Sequence, residues 1–265
     1  LFFRRADCFR LVLVRLPWGA RSATGVHMRY NSMGYGCLRA GGACLARGVR
    51  FSPDTQWVDV SMPLFEGMVC WPGDPAFQMR AVSSLSEGAG SNVSWLSLST
   101  HAGTHVDAPY HVFPDGARVD ELDPSVFFGP ARVLEVTTPG PALGPSDLGD
   151  DPLPARLLLK TANGMLAEKR EFEPGFVALS PEAAARLVDE QVQLVGIDYI
   201  SIAPDGEDCE TVHRMLLEAG VLIVEGLDLR NARAGACEFV VLPLPVRHGD
   251  GAPCRAFIRM EAGDG

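Results

Sequence analysis

The sequence predicts an α/β domain in which helices flank a mixed β-sheet. Residues 193–225 follow the order strand, helix, strand, which implies parallel strands joined by a crossover helix. The region before them, from about Gln56, contains short apolar segments bounded by Gly and Pro, as is typical of strands. A mixed sheet or barrel accounts for both halves.

The first predicted strand lies at residues 56–62, where Val58, Val60 and Met62 alternate with polar residues, as in a half-buried strand. A turn-rich segment at 71–75 follows. Further strands are predicted at residues 93–99, 131–136 and 156–161. Residues 139–154 are rich in Pro, Gly and Asp and are predicted to be a surface excursion.

The C-terminal half has clearer boundaries. Ser180, Pro181 and Glu182 supply an N-cap, a first-turn proline and a first-turn acid for a helix through about Glu190. A strand is predicted at 193–198, a helix at 207–219 closed by Gly220, and a strand at 221–225. No internal repeat or flexible linker interrupts this region, so residues 56–265 are interpreted as one domain.

Residues 1–55 differ in composition from the rest of the chain. The first 50 residues carry nine Arg and Asp7 as their only acid, whereas the remainder has a net charge of −18. This Arg-rich leader is expected to be poorly ordered and dispensable, since it resembles either an organelle transit segment or upstream sequence absent from the working protein; an integral structural element is the alternative. A cytoplasmic location is the simplest expectation, and organelle targeting applies if the leader is genuine.

Charge and hydropathy restrict the partners of the chain. A net charge of −10 argues against nucleic acid, which is bound by clustered Lys and Arg. The apolar stretch at 11–18 is too short to span a bilayer, so no membrane partner is expected. Seven Cys without a CxxC pair argue against a zinc ribbon and suit a reducing compartment.

The residues best suited to catalysis are concentrated between Ser99 and His111. His101, His105, Asp107 and His111 supply imidazole and carboxylate donors that suit zinc or another borderline divalent metal. The stretch contains Gly103 and Pro109 and is predicted to be a loop. A polar loop with incidental histidines would explain poorly why three of six His fall in it.

Two distant residues are candidates to complete a metal centre. His213 lies on the predicted helix, where the helical position by itself favours a core or surface histidine without a ligand role. Glu225 ends the apolar run 221–224, and a buried carboxylate there would need a cation or hydrogen-bond donors. A strand-end acid that reaches water is equally compatible with the sequence.

The run His101–His111 resembles the His-x-Gly-Thr-His-x-Asp-x-Pro-x-His signature of the cyclase family of metal-dependent hydrolases. This family includes bacterial kynurenine formamidase (arylformamidase) and isatin hydrolase. The resemblance covers residues 56–260 and extends to segments Trp71–Asp74, Leu194–Asp198, Val212–Leu216, Ile223–Gly226 and Leu242–Leu244.

The resemblance implies roles for individual residues. His101, His105 and Asp107 match the ligands of one divalent ion, with Asp107 expected to bridge to a second ion held by His213 and Glu225. His111 matches the residue that donates and accepts protons, and Trp71 a substrate-contacting tryptophan. The implied fold is a swivelling β/β/α arrangement around a barrel-like mixed sheet, usually as a homodimer or higher oligomer.

The activity implied is metal-dependent amide hydrolysis with two ions, zinc or manganese. The first expectation is hydrolysis of N-formylkynurenine, a small aromatic amide of tryptophan catabolism, to kynurenine and formate. A related enzyme for a cyclic amide or lactone such as isatin would keep the same ligands. A non-enzymatic metal-binding protein is the third alternative, whereas a serine hydrolase is disfavoured because no G-x-S-x-G motif is present.

Overall fold

The structure is a computed structural model that describes residues 57–138, 140–206 and 208–260. The Arg-rich leader, the strand start at Gln56 and the helix start at Glu207 lie outside the described residues. Among the described residues, neither helix combines the length and apolar character that crossing a bilayer requires.

Twelve strands and two α-helices form the described part of the chain. In order they are β1 (Val58–Asp59), β2 (Gln78–Ser83), β3 (Val93–Ser97), β4 (His105–Asp107), β5 (Phe128–Glu135), β6 (Ala142–Leu143), β7 (Arg156–Lys160), β8 (Ala178–Leu179), α1 (Pro181–Asp189), β9 (Leu194–Ile197), α2 (Asp208–Glu218), β10 (Leu222–Glu225), β11 (Gly235–Pro243) and β12 (Gly251–Met260).

The main sheet closes on itself. Its described strands follow the order β1-β12-β11-β5-β7-β9-β10-β4, and β4 also pairs with β12. Seven strands therefore form a barrel, and β1 adds to the edge of β12. Strands β5, β7, β9 and β10 are parallel, whereas β4, β11 and β12 pair antiparallel with their neighbours. The predicted mixed, barrel-like α/β sheet is confirmed.

The two helices were predicted correctly from their end signals. The Ser180 side chain caps α1 by accepting a hydrogen bond from the Ala183 amide at 3.2 Å. Helix α2 connects the parallel strands β9 and β10, and Gly220 follows it with φ of 81°. Each helix buries an apolar face, which includes Leu187 in α1 and Leu216 in α2.

The core lies inside the barrel wall and beneath the helices. Strand β7 is central, because Leu157, Leu158 and Leu159 are all fully buried. On the neighbouring strand β9, a Cβ at Gly196 would lie 2.6 Å from Leu227 Cδ1 and 3.0 Å from Leu158 Cδ2, so a larger residue there would require these buried side chains to shift.

Three sequence-based expectations were wrong in detail. The cluster between Ser99 and His111 is not wholly a loop, because His105–Asp107 form β4 between two partner strands. The segment 139–154 is not purely superficial, because Leu143 and Leu148 are buried. The first strand is limited to Val58–Asp59 with an isolated bridge at Ser61.

A hairpin formed by β2 and β3 makes a sheet separate from the barrel. Six large apolar side chains in or beside it are at least 40% exposed: Met79, Val82, Leu85, Val93, Trp95 and Leu96. These residues are called the apolar hairpin below.

Candidate active site

Strand β4 places two of the predicted site residues side by side. Side chains alternate along a strand, so His105 and Asp107 share one face while Val106 enters the core. His105 is paired with Glu225 of β10, which brings the carboxylate of Glu225 to the same place. The closure of the barrel thus assembles residues 120 positions apart.

Asp107 and Glu225 form the buried acidic centre of the cluster. His101 Nδ1 lies 2.8 Å and His105 Nε2 3.4 Å from Asp107 Oδ1. Glu225 Oε2 lies 3.3 Å from His105 Nε2, and its Oε1 lies 3.2 Å from His213 Nε2. Three imidazoles and two carboxylates therefore converge, with nitrogen–oxygen distances of 2.8–3.4 Å.

Backbone carbonyls fix the orientation of two imidazoles. Nδ1 of His105 donates to the Gly103 carbonyl at 2.9 Å, and Nδ1 of His213 donates to the Cys209 carbonyl at 2.8 Å. A neutral ring that donates through Nδ1 presents its Nε2 lone pair, here towards the carboxylates.

Two atoms of the cluster are buried without a hydrogen-bond partner: His105 Nε2 and Asp107 Oδ2. A buried acceptor that faces other acceptors is costly unless a cation or a proton lies between them. The ligand atoms of His101, His105 and Asp107 all lie within 4.8 Å of one another, and the same holds for Asp107, His111 and His213. This donor set fits a borderline divalent cation.

The electrostatics of the cluster favour added positive charge. Burial alone would lower the pKa of the histidines, but hydrogen bonds to Asp107 and Asp250 raise the pKa of His101 to about 10. Contacts with Asp107 and Glu225 likewise raise the pKa of His105 to about 9, against its burial. The two carboxylates require compensation by protons or by metal ions.

The cluster opens on a cavity of about 490 Å³, whose lining includes Trp71, His101, His111, His213 and Glu225. The ring centroid of His111 lies 4.2 Å from that of His101 and 5.7 Å from that of His213. Burial lowers the pKa of His111, which favours a neutral imidazole near pH 7.

Trp71 contributes an aromatic wall to the cavity. Its ring packs edge-on against Phe172 with centroids 5.1 Å apart, which fixes the indole in place. All seven predicted site residues are therefore in or beside one cavity: Trp71, His101, His105, Asp107, His111, His213 and Glu225.

Asp250 is the residue of this region that sequence reasoning missed. Its Oδ2 lies 3.1 Å from His101 Nε2, and its Oδ1 accepts a hydrogen bond from Thr100 Oγ1 at 3.1 Å. Hydrogen bonding with His101 lowers the pKa of Asp250 to about 2. Its only sequence signal is its position between Gly249 and Gly251, which is common to many turns.

Comparisons with known proteins identify relatives of this chain. A family model described as "Putative cyclase" matches residues 58–204. Kynurenine formamidase of Bacillus cereus is 35% identical over 207 residues, which cover 77% of this chain and 98% of that protein. The enzyme of the same name from Salinibacter ruber is 37% identical over 205 residues, covering 76% and 96%.

Solved structures share the fold. One described as a potential metal-dependent hydrolase with cyclase activity is 28% identical, with a TM-score of 0.67 over 78% of this chain and 98% of that one. An isatin hydrolase bound to the product analogue thioisatinate is 20% identical, with a TM-score of 0.68 over 78% and 93%.

The barrel, its buried His and carboxylate cluster and these relatives define an enzyme, a hydrolase. The chain belongs to the putative cyclase family.

Proposed function

We propose that this hydrolase acts on carbon–nitrogen bonds other than peptide bonds and that its substrate is N-formylkynurenine, which it cleaves to kynurenine and formate. The observation that carries the proposal is the unpartnered pair His105 Nε2 and Asp107 Oδ2, buried beside a cavity that is walled by Trp71. The named relatives, both kynurenine formamidases, support this choice of substrate.

The proposal assigns two divalent cations, zinc or manganese, to the cluster. His101, His105 and Asp107 would hold one, and His213 with Glu225 the other, with Asp107 shared between them. When bound, such ions supply activated water and polarise a carbonyl group. The carboxylate of Glu225 is held in position for binding a cation, because its Oε1 also accepts a hydrogen bond from the Ile202 amide at 2.7 Å.

His111 is proposed as the proton carrier. It lines the cavity, and its lowered pKa leaves the ring neutral and able to accept a proton near pH 7. It would take a proton from water as the water attacks the formyl carbon. It would then give that proton to the aryl nitrogen as the C–N bond breaks.

The remaining lining fits an aromatic amino acid. Trp71 offers a flat apolar surface to the aryl ring. Asp74 and Glu210 also line the cavity, and the described lining includes no Lys or Arg. An ammonium group on the substrate would therefore be attracted to these carboxylates, whereas a neutral cyclic amide has no positive charge to pair with them.

We further propose that the enzyme is a homo-oligomer in which a second copy covers the apolar hairpin. A two-stranded hairpin is marginally stable alone, and contiguous exposed apolar surface marks interaction sites. Light scattering during gel filtration is expected to give more than one chain per particle. Replacing Trp95 and Leu96 together by Ser is expected to shift the enzyme towards monomer.

The test of function is turnover of N-formylkynurenine by the whole chain with zinc or manganese, with a chelator, and with isatin as the competing substrate. We expect turnover that requires metal and a preference for the formamide. Equal or faster opening of isatin would favour the cyclic-amide alternative. Tight metal binding without turnover of either substrate would favour a non-enzymatic protein.

A further inference from the structure

The third imidazole of the cluster is held differently from the other two. His105 and His213 each donate through Nδ1 to a backbone carbonyl. His101 instead directs Nδ1 to Asp107, at 2.8 Å, and Nε2 to the carboxylate of Asp250, at 3.1 Å. Its proton can therefore reside on either nitrogen, and the acid that holds it decides which nitrogen remains free.

We propose that Asp250 is a positioning residue that keeps the proton of His101 on Nε2 and so presents the Nδ1 lone pair to a cation shared with Asp107. This inference rests on the proposed cation binding. It assigns no ligand role to Asp250 itself. A carboxylate behind a ligating imidazole also increases the electron density of the ring and strengthens its bond to the metal.

The carboxylate of Asp250 is itself firmly held. Its Oδ1 accepts a hydrogen bond from Thr100 Oγ1 at 3.1 Å, and its backbone carbonyl accepts one from the Ala108 amide at 3.0 Å. Asp250 thus connects the two ends of the segment that carries His101, His105 and Asp107. Rotation of the carboxylate would break its hydrogen bonds with Thr100 and His101, whereas the backbone contact with Ala108 holds the main chain of Asp250 in place.

The backbone that follows Asp250 also fits the imidazole closely. A Cβ at Gly251 would lie 3.0 Å from His101 Cε1 and 2.6 Å from the Val106 carbonyl oxygen. The ring therefore lies directly against the Gly251 backbone, which limits its tilt. The hydrogen bond from His101 Nε2–H to Asp250 and the steric contact with Gly251 together restrict the orientation of the His101 ring.

The experiment compares cation affinity in wild type, Asp250→Ala and Asp250→Asn by competition with a fluorescent chelator for zinc and for manganese. The Ala variant is expected to bind 10- to 100-fold more weakly. The Asn variant should lose less affinity, because its amide oxygen can accept from Nε2 while the Thr100 hydroxyl turns to accept from the amide NH₂. Asp151→Asn, an equal charge change at an exposed residue, should leave affinity unchanged.

A second readout separates positioning from general damage. In zinc-loaded protein, imidazole ¹⁵N chemical shifts of His101 should report a metal-bound Nδ1 and a protonated Nε2 in the wild type, and a mixture of Nδ1-bound and Nε2-bound rings in Asp250→Ala. Urea unfolding of the metal-free variants verifies that they are folded. Thr100→Val leaves the carboxylate but removes its anchor, so it should weaken affinity by an intermediate factor even if the Ala variant fails to fold.

Three outcomes would overturn the inference. If folded Asp250→Ala binds metal within twofold of the wild type while the wild type hydrolyses N-formylkynurenine, positioning by Asp250 is wrong and the proposed function stands. A fall in stoichiometry from two ions to one would make Asp250 a ligand instead. A wild-type protein that binds neither cation would refute both proposals.

Discussion

Gly226 offers the sharpest test of how the site is built. It follows Glu225 with φ of 68°, and a Cβ added to it would lie 2.2 Å from the Gly103 carbonyl oxygen and 2.7 Å from the Gly103 carbonyl carbon. These are backbone atoms of the segment that leads into β4, so no side chain can move aside. Replacing Gly226 by Ala must therefore displace the main chain.

The loss of folding free energy in Gly226→Ala can be estimated from the contacts that such a shift disturbs. Alanine in the left-handed region costs about 1 kcal/mol. Moving the chain about 1 Å would break the hydrogen bond from Thr104 Oγ1 to the Gly226 carbonyl, now 2.5 Å, and strain the one from the Met62 amide to Thr104 Oγ1, now 2.7 Å. At about 1 kcal/mol for each hydrogen bond, the total is about 3 kcal/mol.

Gly220→Ala is the matched control. Gly220 also has a positive φ, of 81°, but a Cβ there would meet nothing within 4 Å. Urea unfolding of metal-free protein should therefore show a loss of about 1 kcal/mol for Gly220→Ala and about 3 kcal/mol for Gly226→Ala, with unchanged m-values. Equal losses in the two variants would refute the claim that the Gly103–Gly226 contact limits this position.

Three further outcomes are expected. Replacing His111 by Ala should lower kcat by about 10² to 10⁴ with metal content unchanged, measured by turnover and by metal analysis; retained kcat would remove its proton role. Trp71→Ala should raise KM for N-formylkynurenine about tenfold and Trp71→Phe less, and steady-state kinetics that show no change in KM would contradict a substrate contact. Chelated protein should lose stability as pH rises from about 7 to 10. Protonated His101 stabilises the folded state because its pKa is about 10 there and 6.5 in the unfolded chain, and this stabilisation is lost as pH rises through about 10. Urea midpoints measured at each pH test this, and metal-loaded protein should show a smaller fall.

The parts of the fold that local signals encode were predictable. Helix α1 follows from Ser180 and Pro181, and the site from a histidine cluster contiguous in sequence. Strand β11 also carried a signal, since Cys237, Phe239 and Val241 alternate with more exposed residues, but it was not recognised. Strand β12 contains Pro253, which argues against a strand interior, yet Pro253 is accommodated opposite His105.

Features that depend on distant contacts were not predictable. The double pairing of β4 with β10 and β12 decides that His105 and Asp107 lie in a strand. The contact of Asp250 with His101 joins residues 149 positions apart, and no local pattern encodes it. The loop assignment failed because three residues beside Gly103 and Pro109 carry too little propensity to reveal tertiary pairing.

The strand that completes the barrel is also the strand that carries His105 and Asp107. It has only three residues, and one of its two partners, β12, is the last strand in the described chain. During synthesis on the ribosome the barrel around the cluster therefore cannot close until β12 has emerged. Acquisition of metal would then follow the synthesis of β12, and uptake of a cation by a growing chain should report that the barrel has closed.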